Sequence, residues 1–250
     1  MPASLESEEL TIRFGGHAAV DSISCRFEPG TLTAIVGPNG AGKTTYFNLL
    51  SGQLRATAGR VRFDDRDITA LPASSRARLG LGRAFQLTQL FPRLSVRENV
   101  RLAVQAQRGI GLAFGSIWSD HRDLIERAET IIDRIALGAR RDTAAALLPH
   151  GDQRKLEVAM LMALDPAVYL FDEPTAGMSV DEAPVILSLI ESIKADKSRT
   201  VILVEHKLDV VRSLSDRIVV LHQGRKVADG DPAEVMGSAI VREAYLGEPA

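Results

Sequence analysis

The stretch GPNGAGKTT at residues 37–45 constrains the fold more than any other part of the chain. It follows an apolar run, TLTAIV at residues 31–36, and leads into TTYFNLLSGQL at residues 44–54, which has a helical pattern. A glycine-rich turn between a buried strand and a helix, ending in Lys-Thr, is the sequence context of a phosphate-binding loop. The alternative, an ordinary glycine-rich turn, does not require this combination of strand, loop and helix.

The residue types in this loop suit the binding of a nucleoside triphosphate. Gly37, Gly40 and Gly42 let the backbone curl so that amide N–H groups face phosphate oxygens. Lys43 is expected to reach the β- and γ-phosphates, and the Thr44 hydroxyl to ligate Mg²⁺. The following helix presents its N-terminus to the anion. The predicted nucleotide-binding residues of the loop are Gly37, Pro38, Asn39, Gly40, Ala41, Gly42, Lys43, Thr44 and Thr45.

A second apolar run, VYLFDEP at residues 168–174, ends in two adjacent carboxylates. An aspartate at the end of a strand can hold Mg²⁺, usually through water, and this suits Asp172. Glu173 is then free to orient and polarise the attacking water. The alternative for the pair is a polar strand terminus with no ligand.

A third apolar run, TVILVEH at residues 200–206, ends in His206. The carboxyl ends of parallel strands are where open α/β sheets bind their ligands, so His206 could donate a hydrogen bond to a γ-phosphate. The alternative is a structural histidine. Glu205 could support the site or be a solvated neighbour. Gln86, in GLGRAFQLTQLFP at residues 80–92, lies between the sheet and a helical block, where its amide could contact Mg²⁺ or water.

The order of patterns along the chain predicts an α/β fold. Continuous apolar strands alternate with helices on both sides of a long helical stretch, which runs from Ser95 to about Leu164. Such strands are typical of a parallel sheet covered on both faces. We also expect two strands around the Pro29-Gly30 turn and a hairpin strand in GRVRFDDRDI at residues 59–68.

The composition excludes several other classes of protein. The chain has 250 residues, 45% of them hydrophobic and 25% charged, which is typical of a globular protein. A net charge of −2 gives no basic excess for binding nucleic acid. A single cysteine, Cys25, excludes an internal disulfide. No apolar run approaches the roughly 18 residues of a membrane span. The acidic start MPASLESEEL lacks the core of a signal peptide, so we expect a cytosolic protein.

Taken in order, the motifs resemble those of the ATP-binding subunit of an ABC transporter. The similarity covers essentially the whole chain and is greatest to the ATPases of branched-chain amino-acid importers, through RFGGHAAVDSIS, GRAFQLTQLFPRLSVRENV and DGDPAEVM. The resemblance implies a P-loop NTPase (RecA-like) core with an N-terminal antiparallel β subdomain and an inserted α-helical subdomain. Within a single ABC ATPase domain, residues 1–86 and 165–250 would form the core, and residues 87–164 the helical subdomain.

The resemblance also implies roles for individual residues. Phe14 would stack on adenine, with Val20 packing beside it. Gln86 would be the Q-loop residue, Glu173 the catalytic base and His206 the switch histidine. AGMS at residues 176–179 would be the D-loop, with Ser179 in the position of the usual aspartate.

The expected signature motif L-S-G-G-Q is replaced by Leu148-Pro149-His150-Gly151-Asp152. In the family this loop caps the γ-phosphate bound to the opposite subunit. Pro149 offers neither a hydroxyl nor an N–H, whereas the amides of His150 and Gly151 can still face phosphate. Asp152 in the first turn favours the helix dipole, although its charge would repel ATP unless it turns away. The alternative is that Pro149 only caps a helix and His150 is a spacer.

The resemblance implies an ATPase that closes as a homo- or heterodimer around two Mg-ATP molecules. It would lie on the inner face of the cell membrane, with permease subunits as direct partners and a substrate-binding protein as an indirect one. The apolar LTQLFPRL at residues 87–94 is a candidate for the groove that accepts a permease helix, or else packs inside the helical block. Alternatives are urea or amide import, lipopolysaccharide extraction, and a soluble ABC-type ATPase.

Overall fold

The α/β fold predicted from the sequence is confirmed by a computed structural model, which describes residues 2–84, 90–109, 122–179 and 181–238. Its strands are β1 (Leu5–Phe14), β2 (His17–Phe27), β3 (Leu32–Val36), β4 (Ala58–Phe63), β5 (Arg66–Asp67), β6 (Leu81–Ala84), β7 (Val168–Asp172), β8 (Thr200–Val204), β9 (Arg217–His222) and β10 (Arg225–Gly230). Its helices are α1 (Lys43–Ser51), α2 (Ala73–Arg78), α3 (Val96–Gln107), α4 (Arg122–Arg134), α5 (His150–Leu164), α6 (Ala183–Ala195), α7 (Leu208–Leu214) and α8 (Pro232–Gly237).

A four-stranded antiparallel sheet has the order β2-β1-β4-β5. Its first hairpin pairs Leu5 with Phe27 at one end and Phe14 with His17 at the other. Side chains alternate between buried and exposed along much of β2, as expected for a sheet with one face on a core. This sheet is the antiparallel β layer that the resemblance implied.

A six-stranded sheet has the order β10-β9-β3-β8-β7-β6. β3 pairs in parallel with β8 and β9, and β7 pairs in parallel with β8. Every residue of β3, β7 and β8 is buried, which explains why these strands read as continuous apolar runs. Because the three strands run in the same direction, the segments that follow them leave the sheet at one edge.

The two strands predicted around the Pro29-Gly30 turn do form, but they lie in different sheets. β2 joins the antiparallel sheet, whereas β3 is fully buried in the six-stranded sheet. Gly30 has a φ of 74° and donates its N–H to Arg199 O at 2.7 Å, so the turn is bonded to the segment between α6 and β8 rather than closing a hairpin. Local turn signals indicate a reversal of the chain, but they do not determine which strand becomes the neighbour.

The described residues divide into two compact units. The described residues of one unit fall within 1–83, 167–173 and 193–250, and those of the other fall within 84–166 and 174–192. In the second unit α3, α4 and α5 pack against one another. Helix α3 starts at Ser95, whose hydroxyl accepts from Glu98 N at 3.2 Å. The domain limits predicted from the sequence, 1–86 with 165–250 and 87–164, stay a prediction that differs from these units mainly at residues 174–192.

No helix in the described part of the chain is both long and apolar enough to cross a lipid bilayer.

Candidate nucleotide-binding site

The glycine-rich loop connects the end of β3 at Val36 to the start of α1 at Lys43. At two of its glycines an added side chain would collide with neighbouring backbone. Gly37 has a φ of 155°, and a Cβ there would lie 2.2 Å from Leu221 O; Gly42 has a φ of 96°, and a Cβ there would lie 2.5 Å from Ala19 O. The backbone therefore makes close contacts that only glycine allows. The N-terminus of α1 faces the loop without a side-chain cap.

Lys43 is buried within this loop. Its Nζ donates to Gly37 O at 2.7 Å and to Pro38 O at 2.9 Å. Burial lowers the pKa of Lys43, and the carboxylates of Glu173 and Asp172 oppose that shift. The ammonium thus lies where phosphate oxygens would compete with two loop carbonyls for the same donors.

The remaining loop residues differ in exposure. Asn39, Gly40 and Thr44 are exposed, whereas Ala41 is buried and Thr45 is half-buried. The exposed hydroxyl of Thr44, at the start of α1, is accessible to a ligand. This arrangement is what the predicted metal role of Thr44 requires.

Asp172 and Glu173 follow one another at the end of β7 but have different surroundings. The Asp172 side chain is fully buried, and its Oδ2 accepts from Arg83 Nη2 at 2.7 Å. The Glu173 side chain is 27% exposed, so it can reach a water molecule. Glu173 adopts a φ of 48°, which is uncommon for a residue with a side chain and is held by its N–H donating to Val204 O at 2.9 Å.

His206 lies just beyond β8, the neighbour of β7 in the sheet. Its Nδ1 is 3.9 Å from Glu173 Oε1 and 3.6 Å from Glu205 Oε2, distances too long for hydrogen bonds. Half of the His206 side chain is exposed. The structure therefore places His206 beside Glu173 at the edge of the sheet, as the positions of the strands predicted.

Glu205 is not a solvated neighbour of His206. Its side chain is fully buried, and its Oε2 accepts from His206 N at 2.8 Å and from Lys207 N at 3.2 Å. The carboxylate thus shapes the turn that carries the histidine. The sequence did not distinguish a supporting Glu205 from a solvated one, because the residues around it are the same in both cases.

The predicted adenine-contacting residues have contrasting environments. Phe14 is 53% exposed at the end of β1, so about half of its surface is accessible to a ligand. Val20 is fully buried, and its side chain belongs to the hydrophobic core beneath the antiparallel sheet's buried face. Beside the glycine-rich loop lies an open cleft of about 790 Å³, lined by Gly40 and by the β1–β2 and β9–β10 turns.

The donors at this edge of the sheet suit a magnesium ion that arrives with a nucleotide. The described residues contain no cluster of three or more His, Cys, Asp or Glu side chains that could hold a metal ion. A hydroxyl from Thr44 and a carboxylate from Asp172 are hard oxygen donors, and Mg²⁺ completes its shell with phosphate oxygens and water. Gln86, the third predicted metal contact, lies outside the described residues.

The predicted signature residues lie at the N-terminus of α5, in the second unit. Pro149 is the N-cap residue and has no side-chain cap hydrogen bond; His150, the first helical residue, is exposed. Asp152 is buried and contacts Lys155 Nζ at 2.9 Å and Arg140 Nε at 3.2 Å. These two cations offset the charge of the Asp152 carboxylate.

The same helix start contacts the predicted D-loop. A Cβ on Gly151 would lie 2.2 Å from Glu182 Oε1, and a Cβ on Gly177 would lie 3.3 Å from His150 Cε1. The Glu182 carboxylate also accepts from Ser179, at 3.1 Å from its N and 3.0 Å from its Oγ. These bonds lower the pKa of Glu182. Glu182 was not among the predicted residues, although the Ser-x-x-Glu spacing from Ser179 is a recognisable helix-start signal.

Arg83 is the second residue that the sequence analysis missed. It lies on β6, three residues before Gln86 in the chain, and its side chain is 6% exposed. The sequence did contain a signal, a charged residue inside the apolar stretch LGRAF. Such a residue is expected to be buried, and a buried guanidinium requires hydrogen-bond or ion-pair partners.

Together, the glycine-rich loop, the parallel sheet and the acidic strand end define a P-loop nucleoside triphosphatase. The family model described as ABC transporter matches residues 20–176. A second model, described as branched-chain amino acid ATP-binding cassette transporter, matches residues 225–250. The chain belongs to the ABC transporter family and is an ABC-type ATPase.

Similar proteins span the whole chain. The high-affinity branched-chain amino acid transport ATP-binding protein LivG of Escherichia coli K12 is 36% identical over 244 residues, which are 96% of each chain. The lipopolysaccharide export system ATP-binding protein LptB of Acidithiobacillus ferridurans is 31% identical over 99% of this chain and 98% of its own. The ADP conformation of MJ1267, an ATP-binding cassette of an ABC transporter, superposes with a TM-score of 0.82 at 28% identity, covering 99% of this chain and all of that one. The predicted family and ATPase activity are thus confirmed.

Proposed function

We propose that the chain is the ATP-hydrolysing subunit of an importer that takes up amino acids, most simply branched-chain ones, through a membrane permease. The observation that carries the proposal is the convergence of Lys43, Asp172, Glu173 and His206 at one edge of the sheet. The 36% identity to LivG over 96% of both chains supports the choice of cargo.

ATP binding is assigned to the glycine-rich loop and to the hairpin beside it. The exposed amides after Gly37 and the N-terminus of α1 surround the phosphates, and Lys43 donates to the β- and γ-phosphate oxygens. Phe14 stacks on the adenine ring. The same residues would accept ADP after hydrolysis, because they contact groups that both nucleotides share.

Hydrolysis is assigned to the carboxylate that remains partly exposed. Glu173 orients the attacking water and accepts its proton, while His206, held by the Glu205 turn, donates to the γ-phosphate. Thr44, Asp172 and Gln86 would hold Mg²⁺, which would supply positive charge against the negative charge on the phosphate oxygens. Asp172 is too deeply buried to act as the base, so the two adjacent carboxylates have separate roles.

Two copies of the chain, or one copy and a paralogue, would close around two Mg-ATP molecules. The exposed start of α5 at His150 and the amide of Gly151 would face the γ-phosphate bound by the other subunit. Because Asp152 is paired with Lys155 and Arg140, its charge no longer argues against this contact. Hydrolysis removes the γ-phosphate and its contacts, and the pair opens.

A permease contact is assigned to the second unit. Phe91 and Leu147 are 49% and 75% exposed, and Ala146 N donates to Pro92 O at 3.0 Å, so the segments carrying them are adjacent. Asn99 is fully buried and holds the Phe91 loop, donating from Nδ2 to three of its carbonyls and accepting from Phe91 N at 2.8 Å. An apolar residue on a fixed loop suits a protein partner at the inner face of the cell membrane.

The assignment of Glu173 as base is tested with Glu173→Gln. The variant should bind ATP with near wild-type affinity, lose at least about 100-fold in ATPase rate and accumulate as an ATP-bound dimer. Exposed Glu191 on α6 provides a control, because Glu191→Gln makes the same change of charge on the surface. Rapid turnover by Glu173→Gln would show that another group activates the water.

The cargo is tested by uptake of labelled amino acids, amides and urea in cells with and without this chain. Loss of branched-chain amino-acid uptake supports the proposal. The 31% identity to LptB favours lipopolysaccharide export as the second candidate. Purification from membranes separates the two, because an importer copurifies with a permease and a substrate-binding protein. Copurification with nucleic acid or ribosomes would instead favour a soluble ABC-type ATPase.

A further inference from the structure

Arg83 connects three parts of the nucleotide-binding unit. Its Nη2 donates to Asp172 Oδ2 at 2.7 Å, at the end of β7. Its Nη1 lies 2.7 Å from Asn48 Oδ1 and 2.7 Å from Ser51 Oγ, both in the last turns of α1, and 2.9 Å from Gln53 Oε1. The guanidinium carbon lies 5.2 Å from the centre of the Phe47 ring, also on α1. One side chain thus links the end of β7 to the helix that follows the glycine-rich loop.

This link joins the two predicted protein ligands of Mg²⁺. Thr44 is in the first turn of α1, and Asp172 ends β7. Both side chains of the ion pair are buried, with 6% of Arg83 and none of Asp172 exposed, so solvent screens the contact little. The planar guanidinium presents separate donors to the carboxylate and to α1, a geometry that an ammonium group does not reproduce.

We propose that Arg83 is a positioning residue for the Mg²⁺ of bound ATP: it orients the Asp172 carboxylate and holds it in register with α1. The inference rests on the proposed function, because it requires Asp172 to contact the metal. Arg83 itself does not touch nucleotide or metal. Hydrogen-bonded partners of metal ligands commonly contribute a factor of about 10 to 100 in metal affinity or activity.

The positive charge of Arg83 and its positioning of Asp172 predict opposite effects of substitution on Mg²⁺-dependent nucleotide binding, so an experiment can distinguish them. A buried cation beside Asp172 repels Mg²⁺, so if only charge mattered, Arg83→Gln would strengthen the metal effect and Arg83→Lys would leave it unchanged. If Arg83 acts by positioning Asp172, both variants weaken the effect of Mg²⁺ on nucleotide binding. Asn48→Ala removes part of the contact with α1 and leaves both charges in place, so it should weaken the effect by a smaller factor.

Arg76 offers a matched control in the same unit. It is buried like Arg83, and it also binds the end of α1, donating from Nη1 to Leu49 O at 2.8 Å and to Leu50 O at 2.7 Å. Within the described residues, its hydrogen bonds all go to backbone carbonyls, and none goes to Asp172. Arg76→Gln should therefore lower the melting temperature without changing the response to metal.

The experiment measures binding of a β,γ-imido analogue of ATP to the full chain, once in EDTA and once in Mg²⁺. The dissociation constant in EDTA divided by that in Mg²⁺ reports how much the metal contributes to binding, independently of turnover. Melting temperatures are recorded for every variant. In wild type this ratio should be greater than one, because Mg²⁺ tightens nucleotide binding. Arg83→Gln and Arg83→Lys should each reduce the ratio about tenfold or more, whereas Arg76→Gln should leave it within about twofold.

Two results overturn the inference. One is an equal change of the ratio in the Arg83 and Arg76 variants, which would make Arg83 a purely structural residue. The other is a higher ratio in Arg83→Gln, which would mean that charge outweighs position. Asp172→Asn separates this inference from the proposed function: if that variant keeps the wild-type ratio, the metal role of Asp172 fails and the role of Arg83 fails with it.

Discussion

Replacing Gly151 with alanine tests the contact between the predicted signature helix and the segment after the D-loop. A Cβ at this position would lie 2.2 Å from Glu182 Oε1 and 2.5 Å from Glu182 Oε2, so the carboxylate must move. Moving it breaks the bonds from Ser179 N and Oγ, which lie 3.1 and 3.0 Å away. These bonds lie in the turn just before α6, so their loss should lower the melting temperature.

A single substitution does not isolate this cost, because alanine also favours the helix over glycine by up to about 1 kcal/mol. A double-mutant cycle of Gly151→Ala with Glu182→Ala removes that contribution. Once the Glu182 carboxylate is absent, the three atoms nearest to the new methyl group are gone, and Gly151→Ala should be neutral or stabilising. We expect the two substitutions to be coupled, with Gly151→Ala lowering the melting temperature by roughly 2–4 °C more in the wild-type background than in Glu182→Ala.

The assays are thermal unfolding, ATP binding and steady-state ATPase activity of the four proteins in the cycle. If the start of α5 contacts ATP on the opposite subunit, Gly151→Ala should lower the ATPase rate and spare ATP binding, even in the Glu182→Ala background. A bulkier residue at Gly151 should abolish the ATPase activity. Effects on stability that add within about 0.3 kcal/mol would refute the contact described above.

Two further predictions concern the glycine-rich loop and the signature helix. Gly37→Ala should destabilise the chain by roughly 3 kcal/mol, because its Cβ would lie 2.2 Å from Leu221 O. The Cβ of Gly40→Ala would have no atom within 4 Å, so this variant should cost only about 1–2 kcal/mol of backbone strain. Equal melting temperatures of the two variants would contradict this prediction. Pro149→Ser should be tolerated or stabilise α5 by up to about 1 kcal/mol, because serine adds a side-chain cap that the structure lacks; a large loss of ATPase activity would show that the proline itself matters.

The sequence predicted the parts of the fold that depend on local patterns. The runs TLTAIV, VYLFDEP and TVILVEH became the buried strands β3, β7 and β8, because strands covered on both faces must be apolar at every position. The helical pattern of residues 44–54 became α1, which ends at Ser51 because Gly52 caps it in a left-handed conformation. The short helix α2 and the strand β6 were not predicted, since neither carries a long periodic pattern.

Exposure within the predicted site was decided by tertiary packing. The sequence could not distinguish Asp172, which is buried and paired, from Glu173, which is partly exposed, by anything other than their order. Likewise, Val20 was predicted to pack beside the adenine-stacking Phe14, and Glu205 was left as either a supporting or a solvated residue, yet both side chains are fully buried. Burial depends on which elements cover a residue, and that information is distributed along the whole chain.

By itself the sequence determined the phosphate-binding loop, the acidic end of β7 and the histidine after β8, because each motif is a contiguous segment whose chemistry its own residues supply. Only the tertiary structure decided which side chains hold those motifs in place. The bond between Arg83 and Asp172 joins residues 89 positions apart, and the contact of Gly151 with Glu182 joins two separate helix starts. Such contacts form when distant elements pack together, so no local pattern encodes them.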